Sequence, residues 1–363
     1  MEHRSRVPGV SLVPNKGRAS QTAKALEGLS DLSLLIVGLG SVGYRHLKNL
    51  LRLGVKNLTV LRTGKGRRAL PEDPSPALEA TMAEALAGQP TAVVVSNPTA
   101  LHMGTALAAA EAGCHLFIEK PVAHSWSDVS ELCTRVAARD LVAVTGFQFR
   151  FHPLLRTAKQ WLELGQLGRI ISCRARYGEY LPGWHPGEDY RNGYSARVGL
   201  GGGPVLTLSH PFDYLRWLLG DVWSVGGVTA KLSLLEIDTE DTAQALLRFC
   251  SGAIGTVELD YVQHPYEHSL QIVGEAATLK LDFKENILDF IPADGDKGVH
   301  VVAPKGFERN DMFVEEMRNF LAAVLGQEAP VCTLEDGLRA LEISLAVHRS
   351  SAERREIDVG IPI

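Results

Sequence analysis

The chain has 363 residues, 45% of them apolar, which at about 150 residues per domain suggests two domains with a core each. With 37 Lys and Arg against 42 Asp and Glu, a net charge of -5 and only 35 Gly and 18 Pro, disorder is excluded as the main theme, as is surface-wide attraction to nucleic acid or anionic membrane. Five scattered cysteines (Cys114, Cys133, Cys173, Cys250, Cys332) form no C-x-x-C pair, so neither a metal site nor a disulfide framework is indicated, and reduced thiols in a cytoplasmic protein are expected.

Residues 1–30 read as a loosely ordered extension with a short helix near 20–27; Pro8, Gly9 and Pro14 interrupt any signal-like apolar stretch. No apolar run approaches the roughly 18 residues of a membrane span. Residues 31–147 then alternate strands (34–37, 58–61, 92–96, 115–118, 142–145) with helices (44–53, 101–112, 126–139). Parallel neighbours need such crossovers, so this is a doubly wound, Rossmann-type α/β domain. Residues 148–363 change rhythm. Helices are predicted at 153–164 and 205–219, a strand at 170–177, and a long aromatic loop in between. Strands at 222–230, 242–249, 253–261, 269–273, 278–282 and 287–291, joined by Gly, Asn and Asp turns, make a mostly antiparallel open sheet. Helices at 312–325 and 334–351 close this second α/β domain.

Gly38-Leu39-Gly40-Ser41-Val42-Gly43 fits G-x-G-x-x-G between a strand and an amphipathic helix. There Gly38 permits a tight turn, Gly43 lets the helix pack on the strand, and the amides around Gly40, Ser41 and Val42 face a pyrophosphate. Residues 64–69 fit the related G-x-G-x-x-A pattern but are rejected, because Pro71, Pro74 and Pro76 forbid a helix directly after them. Where an NAD-binding fold places Asp or Glu on the ribose 2'-hydroxyl, this chain has Arg62, Thr63 and Lys65. Those cations suit a 2'-phosphate, so NADP is favoured slightly over NAD.

Three further segments lie at strand ends: Asn97-Pro98 with His102, Glu119-Lys120-Pro121, and the Gly146 to Pro153 run. With the glycine loop they resemble the glucose–fructose oxidoreductase / inositol dehydrogenase / rhizopine catabolism (Gfo/Idh/MocA) family over residues 32–355. The resemblance implies cofactor contacts from Asn97, Pro98, His102 and Glu119. It implies a cis bond before Pro121, and Lys120 beside both nicotinamide and substrate hydroxyl. It also implies a homodimer or homotetramer through the second sheet. The family's catalytic His falls on His210, in Gly201-Gly202-Gly203-Pro204-Val205-Leu206-Thr207-Leu208-Ser209-His210, while Thr207 takes the usual Asp position. A hydroxyl raises imidazole basicity only weakly, so Asp213, one turn later, is the alternative partner.

The loop from Tyr180 to Ser195 carries Trp184, His185, Tyr190 and Arg191, residue types that stack on sugar rings and bond hydroxyls. With Arg150, Thr207 and Asp213 these are the candidate substrate contacts. The expected activity is hydride transfer between nicotinamide and a secondary alcohol or ketone of a sugar, cyclitol or sugar derivative. The rivals are imine, tetrapyrrole or elimination chemistry on the same fold, a cofactor-binding regulator or scaffold with weak or no catalysis, and, last, a zinc dehydrogenase.

Overall fold

The structure is a computed structural model that describes residues 26–62, 70–72, 75–185 and 187–360. Thr63, Lys65, the rejected glycine pattern and most of the N-terminal extension lie outside the described residues. Strands β1 (Ser33–Val37), β2 (Asn57–Leu61), β3 (Ala77–Glu79), β4 (Ala92–Val95), β5 (His115–Glu119) and β6 (Ala143–Gly146) form a sheet in the order β3-β2-β1-β4-β5-β6, with every pairing parallel. Helices α1 (Ser41–Leu53), α2 (Met82–Ala87), α3 (His102–Glu111) and α4 (Val129–Ala138) supply the crossovers. Strand β3 and helix α2 were not foreseen, although Thr81 and Glu84 form a capping box that signals the helix start. The strand order reverses between β1 and β4, the place where open α/β sheets take ligands.

The second domain runs α5 (Pro153–Glu163), β7 (Ile170–Gly178), α6 (Pro204–Thr207), α7 (His210–Leu219), β8 (Val222–Ala230), β9 (Thr242–Phe249), β10 (Ile254–Asp260), β11 (Glu267–Gly274), β12 (Ala277–Asp282), β13 (Ile287–Pro292) and β14 (Val299–Val302). The chain then closes with α8 (Arg309–Val324), α9 (Leu334–Glu353) and β15 (Ile357–Asp358). Its sheet has the order β14-β13-β12-β11-β7-β10-β9-β8-β15, antiparallel except between β7 and β10. The short edge strands β14 and β15 escaped the sequence reading. On β9, Ala243, Ala245 and Leu247 turn inward while Gln244 and Leu246 face out, so one face of the sheet is left open.

The helix expected over 205–219 is two helices, for a local reason. In an unbroken helix the amide of residue 211 would bond the carbonyl of Thr207, and Pro211 has no N–H to give. The backbone turns at Leu208 and restarts at His210.

The final helices pack back on the first domain. Met317, Phe320 and Leu321 of α8 share one core with Leu34, Ile36, Leu47 and Val60, and Leu338 and Leu341 of α9 share another with Val93 and Leu116. Each such fully buried side chain stabilises the arrangement by about 1.5–3 kcal/mol, so these two helices hold both domains around one cleft.

Candidate active site

The cradle after β1 has the tight geometry its glycines imply. Gly38 lies at φ 94°, where an added Cβ would meet the Asn97 amide at 2.5 Å, and a Cβ on Gly43 would meet the Gly38 carbonyl at 2.0 Å. Ser96 Oγ fastens the turn by donating to the carbonyls of Val37 (3.1 Å) and Gly38 (2.8 Å). Around Gly40, by contrast, a Cβ would meet nothing within 4 Å, and no side chain caps α1. Uncapped amides beside open space fit a diphosphate. Nearby, Asn97 Oδ1 is buried without a partner among the described residues, while Asn97 Nδ2 donates to Thr105 (2.9 Å). These residues fit a dinucleotide. Arg62 follows the last residue of β2, with its amide on the Glu79 carbonyl (3.0 Å).

His102 ties the two neighbouring strand-end loops together. Its Nδ1 lies 2.9 Å from the Pro121 carbonyl and its Nε2 2.8 Å from the Asn97 carbonyl, while burial holds its pKa below the ordinary value. The Lys120–Pro121 bond is cis. Glu119 accepts from His46 Nε2 (2.6 Å) and from the Lys120 amide (3.2 Å). His46 was missed, although a polar residue on the buried face of an otherwise apolar α1 stripe is the signal that finds it.

Lys120 and His210 come from different domains and converge. Lys120 Nζ donates to the Thr207 carbonyl, the acceptor that Pro211 leaves unclaimed. Burial pushes the Lys120 pKa down to about 8, against the Glu119 carboxylate, which favours its charge. His210 sits among the rings of Phe149 (4.8 Å), Phe147 (5.6 Å) and Tyr177 (6.3 Å). Its Nε2 takes a long 3.4 Å contact from the Gln148 amide group, and its Nδ1 has no partner among the described residues. Burial first, then Lys120, His268 and Arg309, keep the imidazole neutral.

The two carboxylate-position expectations resolve differently. Thr207 Oγ1 bonds the Gly203 carbonyl (2.8 Å) and the Tyr261 hydroxyl, so it does not touch His210. Asp213 does not back His210 either. It is taken up by Arg150, accepting Nε on both oxygens (3.1 and 3.0 Å) and Nη2 on Oδ1 (2.7 Å). Arg150 also reaches the Val331 carbonyl (2.9 Å) and Asp336 (3.0 Å). Burial opposes its charge, but Asp213 more than compensates and holds the guanidinium protonated. Arg150 and Asp213 are therefore a structural pair, both buried, rather than groups turned toward a ligand.

In the long loop, Arg191 lies on the surface with Asp189 (2.8 Å) and Glu236 (3.2 Å), and His185 is exposed. Tyr190 accepts from the Glu236 amide (3.2 Å), and Trp184 lays its ring against the Tyr261 edge at 5.4 Å with Nε1 buried and unpartnered among the described residues. The structure does not bring these four onto His210. The loop instead sends in Tyr194, whose hydroxyl burial pushes up and which lies within electrostatic reach of Glu119 and Tyr177. Tyr177, Tyr266 and Arg309 were likewise missed, because they are single residues on separate elements with no motif around them.

The match to known proteins follows this geometry. Residues 32–147 match the GFO/IDH/MocA oxidoreductase family, NAD-binding Rossmann fold, and residues 155–280 its C-terminal domain. The chain belongs to the Gfo/Idh/MocA oxidoreductase family. One member, myo-inositol 2-dehydrogenase of Thermotoga maritima, is 26% identical over 347 residues, covering 89% of this chain and 97% of its own. Among solved members, levoglucosan dehydrogenase in complex with NADH superposes with a TM-score of 0.79 at 20% identity, over 91% of this chain and 99% of that one. The WlbA dehydrogenase of Bordetella pertussis, in complex with NADH and UDP-GlcNAcA, gives 0.77 at 24% identity over the same shares. As a Gfo/Idh/MocA protein the chain is an oxidoreductase with an NAD-binding Rossmann domain. Among the described residues no helix is long and apolar enough to cross a membrane, and no cluster of three His, Cys, Asp or Glu could hold a metal ion.

Proposed function

We propose that this protein is an NAD(P)-dependent dehydrogenase or reductase acting on a secondary alcohol or ketone of a sugar, cyclitol or sugar derivative. The observation that carries this reading is the meeting of Lys120 and His210 across the domain cleft, next to an open amide cradle. When bound, the dinucleotide supplies the hydride acceptor or donor. Amides of Gly40, Ser41, Val42 and Gly43 hold its diphosphate, and Asn97, Pro98, His102 and Glu119 border the rest of it. Hydride can leave a carbinol carbon only if the hydroxyl proton leaves too. A neutral His210 has a lone pair to accept that proton. Lys120 spends one of its three donors on Thr207 and keeps the others for the substrate oxygen, whose alkoxide character it stabilises. The cyclitol and sugar dehydrogenases among the relatives support this substrate class.

The cofactor reading is NADP ahead of NAD, resting on Arg62 at the end of β2 where an acidic residue would repel a 2'-phosphate. Replacing Arg62 with Asp is expected to move the NADP-to-NAD affinity ratio at least tenfold toward NAD, as read by fluorescence titration with NADPH and NADH; an unchanged ratio rejects NADP preference. The open face of the second sheet, with Val228, Leu246 and Ile254 exposed, supports a homodimer or homotetramer formed there. Free cysteines support residence in the reducing cytoplasm.

Turnover with a polyol, sugar, sugar-acid and nucleotide-sugar panel, followed by NAD(P)H formation, tests the activity. A second reading has one observation in its favour: Thr207, at the usual Asp position, bonds Gly203 and Tyr261, and His210 Nδ1 has no partner among the described residues. If the protein binds NADPH but oxidises or reduces nothing in the panel, it is a cofactor-binding regulator or scaffold.

A further inference from the structure

A cavity of about 340 Å³ has walls that include Phe149, His152, Glu179, Tyr266 and Arg309. Phe149 is a shared wall, since the same ring stands 4.8 Å from the His210 ring. Tyr177 likewise bridges, 6.3 Å from His210 on one side and 6.0 Å from Tyr266 on the other. A ligand group held in this cavity is therefore separated from His210 by the thickness of one ring, close enough for a sugar-sized molecule to span both.

Arg309, the first residue of α8, is the unusual member. It is solvent-reachable, and among the described residues it makes no hydrogen bond and no ion pair. Arg150 and Arg216, by contrast, are spoken for, Arg150 by Asp213 and Asp336 and Arg216 by Asp221 and Asp336. A guanidinium offers a planar fork of donors that fits a carboxylate on two bonds, and leaving it unmatched beside aromatic walls wastes that capacity. Its charge is felt by both Lys120 and His210, whose proton affinities it lowers. Lys284 adds a second cation on the cavity lining, and its contact with Glu285 is a loose 3.8 Å. His152 adds no charge, because burial pushes its pKa down to about 4.

Glu179 decides which anion fits. Its carboxyl shares the cavity with Arg309, so a doubly charged phosphate would meet repulsion where a singly charged carboxylate meets much less. We propose that Arg309 binds a carboxylate on the substrate, so that the alcohol oxidised between Lys120 and His210 belongs to a sugar acid rather than a neutral polyol. This rests on the alcohol-oxidation reading above.

The test uses the full-length protein saturated with NADH and calorimetric titration of matched pairs: glucuronate with glucose, galacturonate with galactose, gluconate with sorbitol. Glucose 6-phosphate and inorganic phosphate serve as the phosphate arm. The expected result is that at least one acid binds about tenfold or more tightly than its neutral partner, the size of a charge-assisted bond. Arg309→Gln should erase that margin and Arg309→Lys keep part of it. NADH affinity and the thermal midpoint should stay as in the unmodified protein, because Arg309 has no other bond to lose. Acids that bind no better than their partners, including the case where neither is detected, overturn the proposal. So does a margin that survives Arg309→Gln, or a phosphate arm that binds more tightly than every carboxylate. An acid that binds through Arg309 but yields no NAD(P)H on incubation with NAD or NADP upholds the subsite and rejects alcohol oxidation, which separates the two claims.

Discussion

Near the start of α7, Asp213 gives both oxygens to Arg150, which reaches on to Asp336 in the first turn of α9 and to the Val331 carbonyl. Three residues earlier, His210 keeps Nδ1 unpartnered among the described residues, and Arg309 on α8 makes no bond within the described chain. Both groups are polar, but only the first is internally complete. A saturated network fixes the position of α7, whereas an incomplete one leaves donors and acceptors for a ligand, and this contrast separates scaffold from site more reliably than residue type does.

The largest expected effect falls on the saturated side. Asp213→Ala should cost about 3–5 kcal/mol of stability in chemical denaturation, because it strands a buried guanidinium. The joint replacement Arg150→Met with Asp213→Leu should cost clearly less; equal losses would mean that shape, not charge pairing, sets the position of α7. On the open side, Lys120→Ala and His210→Ala should each lower turnover by about 10² or more with NAD(P)H affinity nearly intact. Full turnover in either variant removes that residue from the reaction. The smallest effect is the pH profile. Since burial lowers the Lys120 pKa to about 8, its ammonium is present below that pH and lost above it. The rate of alcohol oxidation should therefore fall as pH rises through about 8, and Lys120→Arg, if active, should lack that falling limb. A profile that rises through the same range would make Lys120 the base instead.

Much of this was legible before any coordinates. Alternating strands and helices define the first sheet, because parallel pairing demands crossovers, and Gly38, Gly43, Glu119, Lys120 and His210 occupy positions whose chemistry depends on local backbone and can be read locally. What could not be read was partner choice. Nothing in the spacing of Arg150 and Asp213, 63 residues apart, says that they bond each other rather than a substrate. Likewise Trp184, His185 and Arg191 have the composition of a sugar site, but His185 and Arg191 project onto the surface and Trp184 packs on Tyr261, while Tyr194 from the same loop turns inward. Arg309 gave no signal because its importance lies in having no partner, a property of three-dimensional surroundings only. The break at Leu208, on the other hand, was within reach, since Pro211 stands in the sequence four residues after Thr207.

That proline carries a consequence for how the two domains recognise one another. A carbonyl excluded from its own helical ladder becomes a docking point for a side chain from across the interface, so the contact between the domains also orients the ammonium. Lys120 and His210 are thus neighbours only where the two halves meet.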